Sequence, residues 1–236
     1  MTARIQEKMD AISSSGLLLD IKSLVVAFGS QSILDLEPKT FSRGLHVFVG
    51  PNGGGKTTFF KALSGLLTFQ GEVVFGNGID IRHHRIEHRR FVSFCPAEPI
   101  FPSFLTGEEL MRFVQKVRGA DRRQEEGLVN HLDLEGMLGG KVGTFSSGMK
   151  KKLGLVLALM GSPSLILLDE PFAMLDHPSK VALSEIIKDR LAAGVSFFIS
   201  SHPDDAIQDL GQHKIHVIAS SKCRNLNEGE SNPWMG

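Results

Sequence analysis

A glycine-rich loop that ends in lysine and threonine constrains this chain more than any other segment. Residues 50–57 read Gly-Pro-Asn-Gly-Gly-Gly-Lys-Thr and fill the pattern GxxxxGK[ST], directly after the apolar run Leu45–Val49. The glycines let the backbone turn tightly and direct N–H groups at phosphate oxygens, Lys56 adds a point charge, and Thr57 offers a hydroxyl to Mg²⁺. Residues 58–63 continue as a predicted helix whose positive end faces the anion. The loop therefore predicts a nucleoside triphosphate site between a strand and a helix.

An acidic strand end supplies the other groups that phosphate transfer needs. Four apolar residues, 165–168, precede Asp169 and Glu170 and predict a buried parallel strand that ends in two carboxylates. Asp169 is predicted to hold Mg²⁺, directly or through water, and Glu170 to accept a proton from the attacking water. The alternative is a core strand that ends in a solvated acidic turn. The phosphate loop upstream favours the catalytic interpretation.

A third segment identifies the kind of phosphate-loop protein. Residues 145–153 read Phe-Ser-Ser-Gly-Met-Lys-Lys-Lys-Leu and open a helical pattern with one apolar face. Together with Asp169-Glu170-Pro171, Leu175-Asp176 and Ser201-His202, this segment resembles the nucleotide-binding subunit of ABC (ATP-binding cassette) transporters in motif order and spacing. The resemblance runs from about residue 17 to residue 219.

The resemblance implies an α/β fold of the P-loop NTPase, ABC ATPase type, with a RecA-like core, an antiparallel β subdomain and an α-helical subdomain. It implies ATP hydrolysis with Mg²⁺ by a homo- or heterodimer that closes around ATP and powers a separate transmembrane permease. Such a subunit is cytoplasmic and peripheral on the inner face of the membrane. Two other classes stay open: an ABC ATPase that acts without a permease, and a weakly hydrolysing regulatory subunit.

The signature motif of the family, usually LSGGQ, corresponds here to the segment that starts at Phe145. The resemblance implies that Ser146 and Gly148 close on the γ-phosphate of ATP held by the opposite subunit. Phe145, Ser147 and Met149 depart from the usual motif. The Ser-x-Gly-Met-Lys form is most similar to cassettes of the ABC-2 exporter type.

Three further residues match family positions, and each has a simpler alternative. Phe28 matches the aromatic that stacks on adenine, or it packs in the core. Asp176 matches the D-loop at the dimer seam and also fits an N-terminal helix cap before Pro178. His202 matches the switch histidine that contacts the γ-phosphate and orients Glu170, or it is an ordinary loop residue.

The predicted site residues fall into three sets. The predicted catalytic residues are Glu170, His202 and Lys56. The predicted metal ligands are Thr57 and Asp169. The predicted nucleotide contacts are Phe28, Gly50, Pro51, Asn52, Gly53, Gly54, Gly55, Lys56, Thr57, Thr58, Ser146, Gly148 and Asp176.

One position departs from the family in a way that bears on coupling. The family places Gln or Glu just after the proline of the Q-loop, where the side chain senses Mg²⁺ and water and couples to the membrane partner. This chain has Ala97 there, between Pro96 and Glu98. A methyl group coordinates nothing, so Glu98 is the candidate substitute after a shift of one residue.

Composition and hydrophobic patterning set the expected organisation. With 236 residues and 42% hydrophobic content, the chain is long enough for one α/β core, and its formal net charge of zero gives no general attraction to nucleic acid, so no nucleic-acid partner is expected. No apolar run approaches the roughly 20 residues of a spanning helix. The expected division is an N-terminal extension over 1–16, one ABC ATPase domain over 17–220 with a helical subdomain at about 102–160, and a tail over 221–236.

Local patterns predict the elements within that division. Strands are predicted over 17–28, 32–36 and 71–75 for the antiparallel region, and a helix-rich insert between 102 and 145 begins with Thr106 as N-cap and Glu109 three residues later. The charged cluster 82–90 is predicted to be a solvated connection rather than a metal or nucleic-acid site. The lysines at 150–152 are predicted to place some charges in water, and the two cysteines are expected to be reduced thiols.

Overall fold

The computed structural model describes residues 16–29, 31–76, 78–201, 210–219 and 222–225. The predicted switch residue His202 lies outside the described residues, as do the N-terminal residues 1–15 and residues 226–236. Within the described part, no helix has the length and apolar content needed to cross a membrane.

The first sheet is antiparallel and is organised around one long strand. β1 (Leu17–Phe28) pairs with β2 (Gln31–Leu36), with β3 (Lys39–Ser42) and with β5 (Gln70–Phe75). The predicted antiparallel region is therefore present. β2 and β5 each start one residue before the predicted position, and the short strand β3 was not predicted.

The second sheet carries the phosphate loop and the acidic strand. It comprises β4 (Leu45–Val49), β6 (Val92–Cys95), β7 (Leu165–Asp169), β8 (Ser196–Ser200), β9 (Lys214–Ala219) and β10 (Lys222–Asn225). The order is β10-β9-β4-β8-β7-β6, and every pair is parallel except the one between β10 and β9. Because parallel strands end at the same edge, β4, β8 and β7 bring their last residues together. β10 extends this sheet past the expected domain boundary at 220, so the expected tail is not wholly outside the fold.

The helices cover both faces of the second sheet and fill the insert. They are α1 (Lys56–Leu63), α2 (Arg85–Phe91), α3 (Gly107–Arg118), α4 (Arg122–His131), α5 (Ser147–Leu159) and α6 (His177–Ala192). The predicted capping box is confirmed at the start of α3: the Thr106 hydroxyl accepts from the Glu109 N–H, and the Glu109 carboxylate accepts from the Thr106 N–H. The cluster at 82–90 forms α2, in which His88 is buried.

α5 is buried along most of its length and packs on β6 and β7. Every residue from 151 to 159 is buried. Lys150 is half-buried, whereas Lys151 and Lys152 are buried, so the lysine run does not simply face water as a group. The carbonyls at the end of α5 are satisfied by two arginines, since Arg118 donates to the Ala158 oxygen at 3.3 Å and Arg190 to the Leu159 oxygen at 2.9 Å.

The second sheet is buried on both faces, as parallel sheets generally are. Successive residues of β8 show the alternation: Phe197 and Ile199 belong to the core beside α5, and Phe198 belongs to the core beneath the antiparallel sheet. The latter core is rich in aromatic rings. Its buried aromatic residues are Phe41, Phe48, Phe59, Phe60, Phe75, Phe91 and Phe198.

Candidate nucleotide site

The phosphate loop lies against the backbone of β9, which explains why glycine is needed there. A Cβ atom on Gly50 would lie 2.1 Å from the Ile218 carbonyl oxygen, and one on Gly54 would lie 2.8 Å from the same oxygen. Gly50 also has φ of 147°, which side-chain-bearing residues rarely adopt. The loop therefore passes closer to the sheet than any other residue type would allow.

The end of the loop presents a cluster of N–H donors. Gly55 is the N-cap of α1 and provides no side-chain cap. The first helical hydrogen bond runs from the Phe59 N–H to the Gly55 oxygen at 2.8 Å, so the N–H groups of the first turn point out of the helix end. Free N–H groups and the positive end of the helix dipole make this position suited to a phosphate.

Lys56 folds back over the loop and is almost fully buried. Its Nζ donates to the Gly50 oxygen at 2.7 Å and to the Pro51 oxygen at 3.1 Å. Burial lowers the pKa of Lys56, and the carboxylates of Glu170 and Asp169 partly offset this effect. Two loop carbonyls thus hold the ammonium against the start of the phosphate loop.

The phosphate loop and the acidic strand meet directly. The Thr57 hydroxyl donates to Oδ2 of Asp169 at 2.8 Å, although 112 residues separate the two in sequence. The Ser200 hydroxyl donates to Oδ1 of the same carboxylate. Asp169 is buried, so both its oxygens are fixed by neighbouring elements. The predicted proximity of Thr57 and Asp169 is what the structure shows.

Glu170 occupies an unusual backbone position at the end of β7. Its φ is 47°, and its N–H donates to the Ser200 hydroxyl at 3.0 Å. The strained turn directs the half-buried Glu170 away from the course of the strand. Ser200 thus serves both acidic residues, a role that the sequence reasoning missed. No local sequence pattern indicates this role, because it depends on the pairing of β8 with β7 that places Ser200 opposite Asp169.

The signature segment lies at the start of α5. Ser146 is the N-cap, and its hydroxyl accepts from the Met149 N–H at 3.2 Å. A Cβ atom on Gly148 would lie 3.1 Å from the Met174 carbonyl oxygen, so Gly148 packs closely on the segment that leads to Asp176. Among the residues that the structure describes, no hydrogen bond joins Ser146 or Gly148 to the phosphate loop of the same chain.

Asp176 has the cap role that the sequence predicted. Its Oδ1 accepts from the Ser179 N–H at 2.8 Å at the start of α6, and its Oδ2 lies 3.0 Å from Lys152 Nζ. Hydrogen bonds from Ser179 and Lys152 hold the pKa of Asp176 well below its ordinary value. The ion pair ties the signature helix to the segment matched to the D-loop.

Phe28 lies at the end of β1 with 59% of its surface exposed. This exposure contradicts the alternative of core packing. A large aromatic ring left in solvent at a strand end is available to stack on a planar ligand.

The Q-loop segment, Pro96–Glu98, is held by its backbone rather than by its side chains. Lys151 Nζ donates to the Pro96 oxygen at 3.2 Å and to the Ala97 oxygen at 3.0 Å. The Ala97 methyl makes no polar contact, as expected, and Glu98 is exposed. The sequence reasoning did not find Lys151. The unbroken apolar stretch after it, which predicts a helix buried on every side, was the available signal.

With this geometry established, comparison with known proteins assigns the family. The family described as ABC transporter matches residues 35–173, which is more than half of the chain. The chain belongs to the ABC transporter family. The lantibiotic transport ATP-binding protein SrtF of Streptococcus pyogenes is 31% identical over 187 residues, covering 78% of this chain and 80% of that protein. This ABC ATPase is therefore homologous to a transport ATP-binding protein.

Other relatives are much longer proteins. ABC transporter A family member 12 of Arabidopsis thaliana is 32% identical over 180 residues, covering 70% of this chain and 20% of that protein. The chain thus spans about a fifth of that relative. The chain is an ATP-binding, ATP-hydrolysing subunit of the ABC transporter family, as the sequence predicted.

Solved structures agree on the fold. The structure titled as the ATP binding subunit of an ABC transporter aligns with a TM-score of 0.78 and 27% identity, covering 89% of this chain and 91% of that one. A dimeric ATP-binding cassette in a post-hydrolysis state, bound to ADP and Pi, aligns with a TM-score of 0.72 and 19% identity. The predicted P-loop NTPase fold of the ABC ATPase type is confirmed.

The donor set of this site fits ATP with Mg²⁺. Thr57 and Asp169 offer oxygens 2.8 Å apart, close to the separation of about 3 Å between adjacent ligands in an octahedral Mg²⁺ shell. The N–H groups of the α1 end and the Lys56 ammonium offer only donors, which suits phosphate. The oxygens of Thr57 and Asp169 therefore suit the metal of a metal-bound nucleotide, and the donors of α1 and Lys56 suit its phosphates.

Proposed function

We propose that this ABC ATPase hydrolyses ATP with Mg²⁺ at the site formed by the phosphate loop and β7, as the engine of a transporter whose membrane-spanning part is a separate permease. The contact between Thr57 and Asp169 carries the proposal, because it joins the two motifs in the arrangement that phosphate transfer requires. Protein positioning and electrostatic stabilisation are the main contributions to such chemistry.

Each polar group has one role in this proposal. The loop N–H groups and Lys56 bind the outer phosphates of ATP, and Thr57 and Asp169 hold Mg²⁺, which would neutralise phosphate charge. Glu170 accepts the proton of the attacking water. Ser200 keeps the Asp169 carboxylate and the Glu170 backbone in fixed orientation. His202 is proposed as the residue that orients Glu170 toward the γ-phosphate.

The proposed working unit is a dimer, because among the described residues no hydrogen bond joins Ser146 or Gly148 to the phosphate loop of the same chain. Ser146 and Gly148 contact α5 and the Met174 segment, and the exposed Ser146 is free to meet the nucleotide of a second subunit. Asp176 would lie at the seam between subunits. ATP binding then closes the dimer and hydrolysis reopens it, so the chemistry drives a motion.

Exposed apolar side chains support a protein partner at the Q-loop end of the molecule. Ile100 is 92% exposed and Phe104 is 71% exposed, both just after the Q-loop segment. Large apolar residues grouped at a surface mark interaction sites. The proposed partner is the permease, which would place the subunit on the inner face of the membrane. Transport of a cargo is proposed on the similarity to SrtF, which is named for lantibiotic transport.

The test of this proposal is the Glu170→Gln substitution in the full chain. The amide keeps the shape of the side chain and loses its basicity, so the rate of hydrolysis is expected to fall about 100-fold or more while ATP affinity stays unchanged. Light scattering with Mg²⁺ and ATP is expected to show a persistent dimer of the variant. Hydrolysis at the wild-type rate by Glu170→Gln would show that Glu170 is not the base.

Two further measurements separate the parts of the proposal. Lys56→Ala is expected to weaken ATP binding itself, which thermal shift with ATP detects. Affinity purification of the full chain from detergent-solubilised membranes is expected to recover, bound to it, a protein with several transmembrane segments. If hydrolysis is normal and no such protein is recovered, the permease part fails and the ATPase part stands.

A further inference from the structure

Lys151 is a charged side chain that the proposed chemistry does not use, yet it is completely buried beside the site. Its relative exposure is 0%. A buried lysine is expensive unless its ammonium is paired or fully hydrogen-bonded, so its surroundings must compensate for the loss of water.

The compensation comes from three backbone carbonyls. Lys151 Nζ donates to the oxygens of Pro96 at 3.2 Å, Ala97 at 3.0 Å and Asp169 at 2.9 Å. An ammonium has three donors, so each proton has its own acceptor. A neutral amine would turn its lone pair toward one of these oxygens, so the geometry fits the charged form.

The three carbonyls belong to two different parts of the site. Pro96 and Ala97 form the Q-loop segment, and Asp169 is the last residue of β7, adjacent to Glu170. One ammonium thus joins the segment that leads to the exposed Ile100 and Phe104 surface with the strand that carries both acidic groups. The usual Q-loop side chain, which would make such a connection, is replaced here by the Ala97 methyl.

We propose that Lys151 is a positioning residue that fixes the Q-loop segment to the end of β7 and thereby sets the orientation of Asp169 and Glu170 for hydrolysis. In this chain the link between the partner-facing segment and the acidic residues runs through backbone carbonyls bound to Lys151. The inference rests on the proposed roles of Asp169 and Glu170.

The experiment compares Lys151→Met with Arg190→Met in the full chain. Methionine keeps the length and burial of Lys151 but has no donor. Arg190 is a matched control, since it is a partly buried cation that donates to the Leu159 and Gly161 carbonyls at the opposite end of α5. ATP hydrolysis, the thermal unfolding midpoint and the thermal shift caused by ATP with Mg²⁺ are measured for both.

Lys151→Met is expected to lower kcat at least about tenfold with the KM for ATP and the ATP-induced thermal shift nearly unchanged, because the phosphate loop is intact while the acids are misplaced. Arg190→Met is expected to lower the unfolding midpoint without a change in kcat. Lys151→Arg, which restores charge and several donors, is expected to recover most of the rate.

Three results would overturn the proposal: a wild-type kcat for folded Lys151→Met, equal losses of kcat in Lys151→Met and Arg190→Met, or no recovery in folded Lys151→Arg. Should Lys151→Met not fold, Lys151→Leu takes its place with the same criteria, because leucine also has no donor. Glu170→Gln, measured in parallel, separates this inference from the proposed function. If Glu170→Gln hydrolyses normally, the assignment of the base is wrong whatever Lys151 does.

Discussion

At the scale of single residues, hydrogen bonds from neighbouring elements hold the polar groups of the site in place. Asp169 accepts one hydroxyl hydrogen bond on each oxygen, from Thr57 in α1 and from Ser200 in β8. A carboxylate held from two sides loses little further freedom when it takes up a cation, which favours binding. Lys56 is likewise held in place by two loop carbonyls.

Phe28 provides a test of nucleotide recognition at this scale. Because its ring is mostly exposed, Phe28→Ala is expected to leave the unfolding midpoint unchanged and to weaken ATP binding by about 1 kcal/mol, or about fivefold in Kd, through lost stacking. A titration with fluorescent ATP measures Kd directly. Phe113→Ala is the control, since Phe113 is also mostly exposed but lies on α3, far along the chain. Equal affinities in Phe28→Ala and wild type would exclude stacking on adenine.

At the scale of elements, the sequence predicted what local patterns determine. The strand Leu45–Val49 matches the predicted apolar run at both ends, because it is a short run directly beside the phosphate loop. The Thr106 cap was predictable for the same reason, since its hydrogen bonds span only three residues.

Elements that depend on distant pairing were not predictable. β3 and β10 are short, and their positions are fixed by hydrogen bonds to β1 and β9. The hydrogen bonding of Lys151 is similar, because its three acceptors lie 55, 54 and 18 residues away and no local pattern brings them together. Ser200 acquires its role only when β8 pairs with β7.

The Q-loop segment supports a prediction about coupling. Glu98 is its exposed acidic residue and is the candidate for the missing polar side chain. Glu98→Ala is expected to lower the permease-stimulated ATPase rate by about fivefold, with a smaller effect on the basal rate. Ala97→Gln is the companion variant and is expected to leave ATP binding nearly unchanged. ATPase assays with and without the reconstituted permease make the comparison. Intact stimulation in Glu98→Ala would favour a weakly coupled or regulatory subunit.

At the scale of the whole molecule, the second sheet separates two cores, and the aromatic core contains a buried histidine pair. His46 Nδ1 lies 2.8 Å from His216 Nε2, and His46 Nε2 lies 2.8 Å from the Ser42 carbonyl oxygen. Because a carbonyl only accepts, His46 carries its proton on Nε2, and His216 donates to His46 Nδ1. The pair is therefore satisfied with His46 neutral, and it joins β4 to β9.

Two buried histidines make the stability of the whole fold sensitive to acid. Burial lowers the pKa of His46 to about 4, and it lowers the pKa of His88, whose ring contacts the Leu63 oxygen, to about 4 as well. The unfolded chain takes up these protons below about pH 6.5, whereas the folded chain takes them up only near pH 4. Above about pH 6.5 the free energy of unfolding is therefore expected to contain the full contribution of these two histidines. As the pH falls from about 6.5 to about 4, it is expected to decrease by about 1.4 kcal/mol per pH unit for each histidine.

Urea unfolding at a series of pH values measures this dependence, and substitution separates the two contributions. His46→Phe places another ring beside Phe41 and Phe198 and removes one titrating group. It is expected to reduce the slope by about 1.4 kcal/mol per pH unit, whatever its effect on stability at neutral pH. The wild-type chain, measured in the same pH series, is the control. An unchanged slope in His46→Phe would show that His46 takes up its proton in the folded chain as readily as in the unfolded one, against the neutral pairing with His216.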